Sequence, residues 1–257
     1  MKILSLNCQR GMQSSLKDFL SQKFDTEKYD FFLLQEADKK VLDFLNHPLY
    51  KLLSVFDSDA KQKSELCIVY KTKYNLIQHG FKSFASMRKD PLLGFKSPSF
   101  GLLWADFEIA DKITRVATIH LHSGIDSRAR LKELRLAQKI LLDESPVPHV
   151  ILAGDLNAGF PGEQKQMARV LAPEFAWTTK DIGPTLDSRY SENVAHLPNR
   201  LAALLRLFNT GVQLRTDHFF VNQQTIQGNN IESSKLPDRV SDHSPVEFII
   251  DTAIAKI

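Results

Sequence analysis

Six short apolar runs spread over residues 3 to 250 each carry a polar residue of metal-ligand type at one end. Ile3 to Leu6 runs into Asn7, Phe31 to Gln35 into Glu36, and Val116 to Ile119 into His120. His149 to Ala153 runs into Gly154-Asp155-Leu156-Asn157, Asp217 opens the run His218 to Val221, and Asp242-His243 stands just before Val246 to Ile250. One polar residue ending one strand is ordinary turn chemistry. The whole set is not: Glu36, Asp155, Asp217 and Asp242 brought together would raise one another's pKa unless a cation or paired imidazoles balanced them. The chain must fold so that these ends either stay apart or meet in a charge-balanced site.

The spacing of apolar residues predicts strands at 2–7, 30–35, 50–56, 65–71, 75–83, 99–109, 113–122, 148–153, 216–222 and 244–250. Helices are predicted at about 13–24, 37–47, 126–143 and 162–171. Some runs are continuously apolar and others alternate, which suits sheets covered by helices on one face and by a second sheet on the other. In the third helix Leu131, Leu134, Gln138 and Leu141 form one stripe, while Arg128, Lys132, Arg135 and Lys139 form a second that reads as a solvated face. Helices interspersed among strands point to a layered α/β architecture. The motifs spread evenly, so residues 1–257 read as a single domain. With 43% apolar and 25% charged residues the chain is neither disordered nor fibrous. A net charge of +3 is too even to argue by itself for a nucleic-acid partner.

Cys8 and Cys67 fall in predicted strands and have neither zinc-cluster neighbours nor a disulfide pattern, so they read as reduced core residues. The N-terminus lacks the apolar core of a signal peptide, and no run approaches the roughly 18 residues of a membrane span. A soluble, cytoplasmic protein is expected.

The order of motifs resembles the endonuclease/exonuclease/phosphatase superfamily. It reads Asn7, Leu34-Gln35-Glu36, Thr118-Ile119-His120-Leu121, Gly154-Asp155-Leu156-Asn157, Asp217-His218-Phe219-Phe220 and Ser241-Asp242-His243-Ser244-Pro245-Val246. Members include pancreatic-type deoxyribonuclease, abasic-site endonucleases, neutral sphingomyelinases and inositol-polyphosphate 5-phosphatases. The motifs cover nearly the whole chain. The resemblance implies an α/β (α+β) fold of four layers, αββα, with two mostly antiparallel sheets packed face to face and helices outside. It also implies metal-dependent hydrolysis of phosphodiester bonds.

Such hydrolysis needs a nucleophilic water, neutralisation of the phosphoryl oxygens and stabilisation of the leaving oxygen. Glu36 reads as the principal ligand of a hard dication, Mg²⁺ with Mn²⁺ as an acceptable substitute, because both prefer oxygen donors. The resemblance places Asn7 and Asp242 around the same metal. It gives Asp155 the orientation or deprotonation of the attacking water, with Asn157 binding the phosphate or that water. It makes Asp217 and His243 a buried pair in which the carboxylate fixes the ring tautomer, and His120 a donor to a phosphoryl oxygen. Whether Asp155 or His243 is the general base stays open. His122 and His218 read as packing residues.

Thr185-Leu186-Asp187 with Asn193 resembles an element of the sphingomyelinase-like and tyrosyl-DNA-phosphodiesterase-like branches, with Leu186 in place of an aromatic. Arg215-Thr216-Asp217 fits the same branches. These residues, together with Arg88 and Lys89 in the aromatic and basic segment Phe81 to Phe100, are candidates for substrate contact. The leading expectation is a nuclease or nucleic-acid end-processing phosphodiesterase. A phosphodiesterase or phosphatase acting on a peripheral lipid, as sphingomyelinases do, or on a small molecule is the alternative. A catalytically inactive binding module is the third reading; loss of Glu36 or Asp155 would be its sign, and both are present.

Overall fold

The computed structural model describes residues 1–9, 14–56, 65–84, 88–89, 96–97, 101–122, 127–143, 146–187, 213–238 and 240–252. Its strands are β1 (Lys2–Asn7), β2 (Phe31–Ala37), β3 (Tyr50–Phe56), β4 (Glu65–Lys71), β5 (Asn75–Lys82), β6 (Arg88–Lys89), β7 (Lys96–Ser97) and β8 (Gly101–Ile109). They continue with β9 (Lys112–His120), β10 (His149–Asp155), β11 (Phe175–Trp177), β12 (Leu186–Asp187), β13 (Gln213–Leu214), β14 (Asp217–Asn222), β15 (Asn229–Lys235) and β16 (Val246–Thr252). The described helices are α1 (Ser14–Asp25), α2 (Lys39–Phe44), α3 (Ser127–Leu142), α4 (Pro161–Leu171) and the single turn α5 (Gln223–Ile226).

Two six-stranded sheets carry the molecule, in the orders β15-β16-β1-β2-β4-β3 and β11-β14-β10-β9-β8-β5. Each is mixed. Its central pair is parallel, β1 with β2 and β9 with β10, and its other neighbours are antiparallel. Alternate side chains of each strand serve different layers, as the period of two requires. Ile3, Phe31 and Leu33 face across to Val116, Ile151 and Phe219 in the core between the sheets. Their neighbours Leu4, Leu6, Phe32 and Leu34 pack under Leu16, Phe19, Leu20 and Val41 of α1 and α2. On the other side Ala117, Ile119, Val150 and Leu152 meet Leu134, Leu141, Met167 and Leu171 of α3 and α4. This is the expected αββα sandwich. Strands buried on both faces explain why their sequences read as unbroken apolar runs.

The basic stripe of α3 is solvated: Arg128, Lys132, Arg135 and Lys139 are all exposed. Both thiols are buried and reduced. No described helix is long and apolar enough to cross a membrane. Two strands of the six-stranded sheets were not expected. β15 reads Asn-Asn-Ile-Glu-Ser-Ser-Lys and lies at a sheet edge, where one face is wet and few apolar residues are needed. β11 is only three residues long. The helix expected at 37–47 is confined to Lys39–Phe44, with the Asp38 side chain accepting the Val41 N–H as its cap.

Gly154 limits how closely β9 and β10 can lie. Its φ is +144°, and a Cβ there would stand 2.0 Å from the Ile119 carbonyl oxygen. Gly154→Ala should therefore destabilise the fold by at least about 1–3 kcal/mol. The check is a lowered urea midpoint at unchanged slope.

Candidate active site

Strand direction alone gathers the expected residues. The parallel pairs end together, with Asn7 opposite Gln35 in one sheet and Asp155 opposite His120 in the other. An antiparallel neighbour starts where its partner ends, so Asp217, the first residue of β14, pairs with Asp155. Asp242 and His243 precede β16, which lies antiparallel to β1. Two residues reach the cleft by backbone distortion. Glu36 has φ +52° within the register shift between Leu34 and Ala37, a bulge that re-aims its side chain. Asn157 has φ +50°, beyond the end of β10. A left-handed turn, not continued strand, sets its placement.

Asp155 is the hub. Its Oδ2 lies 3.0 Å from Asn7 Nδ2, 3.7 Å from His120 Nε2 and 3.8 Å from His243 Nε2, while its Oδ1 accepts the Asn157 N–H at 2.8 Å. Glu36 Oε1 stands 3.4 Å from Asn7 Nδ2 and 3.8 Å from His120 Nε2. His243 Nδ1 and Asp217 Oδ2 are 2.8 Å apart, and His243 Nε2 is 3.8 Å from Asp242 Oδ1. Ligand atoms of Asp155, Asp217 and His243 all lie within 4.8 Å of one another. Because Asp217 and His243 already hold each other, the open side of the cluster is toward Glu36, the most exposed carboxylate of the set at 17%.

Burial drives the electrostatics. Desolvation works against the charged His243 ring, but Asp217, Asp155 and Asp242 outweigh it and push its pKa up to about 10. Burial likewise opposes ionisation of Asp217, yet the His243 ring beside it holds that carboxyl below its usual range. Asp155 goes the other way: burial, aided by Asp217, raises its pKa against the pull of His243 and His120. A carboxyl so raised is a better proton acceptor.

Supporting residues surround this cluster. Gln35, fully buried, donates to Ser5 Oγ at 3.3 Å and to Thr118 Oγ1 at 2.9 Å, tying the two sheets together beneath the cleft. Ser241 Oγ donates to the Asn7 carbonyl at 2.8 Å, and Gln9 Oε1 accepts the Asp242 N–H at 3.2 Å. Neither glutamine was singled out from sequence, although Gln35 lies inside the Leu34-Gln35-Glu36 motif.

The expected substrate residues are placed differently. Thr185 is buried, and its Oγ1 accepts the N–H groups of Thr216 and Asp217, both at 3.1 Å. It braces Asp217; burial, with its hydroxyl engaged, keeps it from the substrate face expected for it. Asp187 is also buried, and its N–H donates to the Asp242 carbonyl at 3.0 Å. Arg215 stacks on Trp177 at 4.7 Å and donates to Gln164 Oε1 at 2.6 Å, so its guanidinium is engaged with α4 rather than presented freely. Arg88 and Lys89 form β6, paired with β7, and their side chains lie outside the described part. Asn193 also lies outside the described residues. Phe84 is buried in the layer under α3, and Phe81 packs against the inter-sheet core. Phe84 is therefore no surface aromatic, while Phe81 is half-buried.

His218 packs edge-on against Trp177, as a packing residue should, and accepts its indole N–H at 3.2 Å. Burial pushes its pKa down to about 3. The neutral ring is the folded form, so the stability it supports is full above about pH 6.5 and is lost as pH falls below that toward 3. Unfolding free energy should drop by about 1.4 kcal/mol per pH unit in that window, and His218→Gln should flatten the profile.

The sequence profile described as Endonuclease/Exonuclease/phosphatase family matches residues 4–243. The chain belongs to that family. Comparison with curated protein sequences finds no match. Solved structures with the same architecture include D. rerio TDP2 complexed with single strand DNA product, at 17% identity and TM-score 0.70, covering 98% of this chain and 99% of that one. Bacteroides thetaiotaomicron mannosyl-6-phosphatase Bt3783 is similar at 18% identity and TM-score 0.71, with the same coverage. Truncated Caenorhabditis elegans TDP2 aligns at 15% identity and TM-score 0.70 over 96% of each chain. At these identities the likeness is one of fold. It agrees with the αββα sandwich described above.

Proposed function

We propose that this member of the family hydrolyses phosphodiester bonds with the help of a divalent metal, and that its substrates are nucleic-acid ends. The observation that carries the reading is Asp155. One buried carboxylate, with its pKa raised, faces two imidazoles and an amide at 3.0–3.8 Å. That arrangement suits a base that takes a proton from water beside groups that hold a phosphate.

The donor set fits Mg²⁺ or Mn²⁺. Four carboxylates crowd one cleft, the donors nearest Glu36 are oxygens and nitrogens without a thiolate, and the engaged Asp217–His243 pair leaves Glu36, Asn7 and Asp242 as the residues that would hold the ion. When bound, it would neutralise charge on the phosphoryl and leaving oxygens. The remaining work falls to side chains. Asp155 accepts the proton of a water whose oxygen attacks phosphorus. Asn157 Nδ2 donates to the Leu121 carbonyl at 2.9 Å, which fixes that amide next to Asp155. The raised pKa of His243 makes it a protonated clamp on a phosphoryl oxygen, aimed by Asp217, and His120 is the second donor. The ester oxygen then leaves with the bonding electron pair and takes up a proton.

If His243 and Asp217 act as one unit, His243→Ala should lower kcat by about 10²–10⁴-fold. Asp217→Asn should lower it too, and the double variant should be little worse than His243→Ala alone, because effects within a unit do not add. Fully additive losses in steady-state kinetics would separate the two residues.

Substrate class is tested by one panel with Mg²⁺: single-stranded DNA, RNA, sphingomyelin, a sugar monophosphate and bis-p-nitrophenyl phosphate. The reading requires turnover of the synthetic diester and of an oligonucleotide. Turnover of sphingomyelin or the monophosphate alone would replace it with the lipid or phosphatase alternative.

A further inference from the structure

We propose that Phe160 is a stacking platform for a nucleobase of the substrate, on the rim of the Asp155 cleft; this rests on the nucleic-acid reading above. Phe160 is 67% exposed, more than any other large apolar side chain among the described residues. It follows Asn157 by three residues, so chain length alone keeps its Cα within roughly 10 Å of the Asn157 Cα. A lone surface apolar residue is ordinary. Two further observations distinguish this one.

Phe160 is the N-cap of α4, with φ −96° and ψ 141°, and it makes no side-chain capping bond. Ser, Thr, Asp or Asn would satisfy a helix N–H at that position. An aromatic there forgoes the cap and, being exposed, gains no packing in return. Local rules broken without compensation are expected where function uses the residue.

The loop that displays the ring is also braced from behind. Gln164, only 4% exposed, donates through Nε2 to the carbonyls of Ala158 at 3.0 Å, Gly159 at 3.3 Å and Arg215 at 2.8 Å. Its Oε1 accepts from Arg215 Nη2, which assigns the half-buried arginine a task the sequence did not suggest. Gly159 packs so closely that a Cβ would meet Leu214 Cδ1 at 2.7 Å. Pro161 fixes the next residue. A flat ring displayed in solvent from a braced loop binds another flat ring with a reduced ordering penalty, and every nucleobase offers such a face.

The test compares wild type, Phe160→Ala and Phe160→Trp on a single-stranded oligodeoxynucleotide and on one of equal length made abasic around the cleavage position. Phe160→Ala should raise KM on the base-containing strand by roughly 5- to 150-fold, with kcat unchanged, and should not alter KM on the abasic strand. Phe160→Trp should restore wild-type KM. An unchanged KM for Phe160→Ala, or an equal rise on both strands, overturns the inference while leaving the nuclease reading intact. Failure of wild type to cleave either strand overturns both.

Discussion

Replacing Asp155 by Asn should lower kcat by about 10²–10⁴-fold, the range spanned by a positioned general base, without lowering the stability of the fold. The substitution keeps shape and keeps an oxygen to accept the Asn157 N–H. What it removes is the negative charge and the capacity to take a proton. Because burial already disfavours that charge, neutralising it relieves desolvation while it also loses the attraction of His243 and His120. Thermal midpoint and rate should therefore part company, the first near wild type and the second collapsed. A rate near wild type would move the proton chemistry to His243.

The geometry that makes Asp155 the hub was in large part legible from the chain. Asn7, Glu36, His120, Asp155, Asp217 and His243 were found because each ends or starts an apolar run, and parallel pairs flanked by antiparallel neighbours bring those ends to one edge. That logic named Glu36 and Asn157 but not the backbone departures from regular strand that aim them. The left-handed Glu36 and Asn157 residues, and the bulge after Leu34, leave no mark in a pattern of alternate burial. Edge strand β15 was missed because its exposed face needs no apolar residues. Thr185 and Arg215 were named as substrate candidates, and the contacts they make within the protein were not foreseen. Motif spacing cannot tell a hydroxyl under Asp217 from one facing substrate, nor an arginine locked on Gln164 and Trp177 from a free one. Phe160 went unnoticed because nothing in the surrounding Asn-Ala-Gly-Phe-Pro turn signals that an aromatic would stand outside every core.

Metal dependence carries the largest expected effect, because every catalytic assignment assumes a cleft whose carboxylates are balanced by a cation. Glu36, Asp155, Asp217 and Asp242 converge around the rings of His120 and His243, and His243 is already committed to Asp217. Without a cation, the phosphate would enter a site of its own sign, and its oxygens would lack the neutralisation that phosphoryl transfer requires. The direct measurement is hydrolysis of bis-p-nitrophenyl phosphate by the wild-type protein in excess EDTA, followed by titration with Mg²⁺ or Mn²⁺ until free metal exceeds the chelator. The rate should fall to background in EDTA and return in full with either ion; an undiminished rate in excess EDTA would contradict metal-dependent phosphodiester hydrolysis at this cleft.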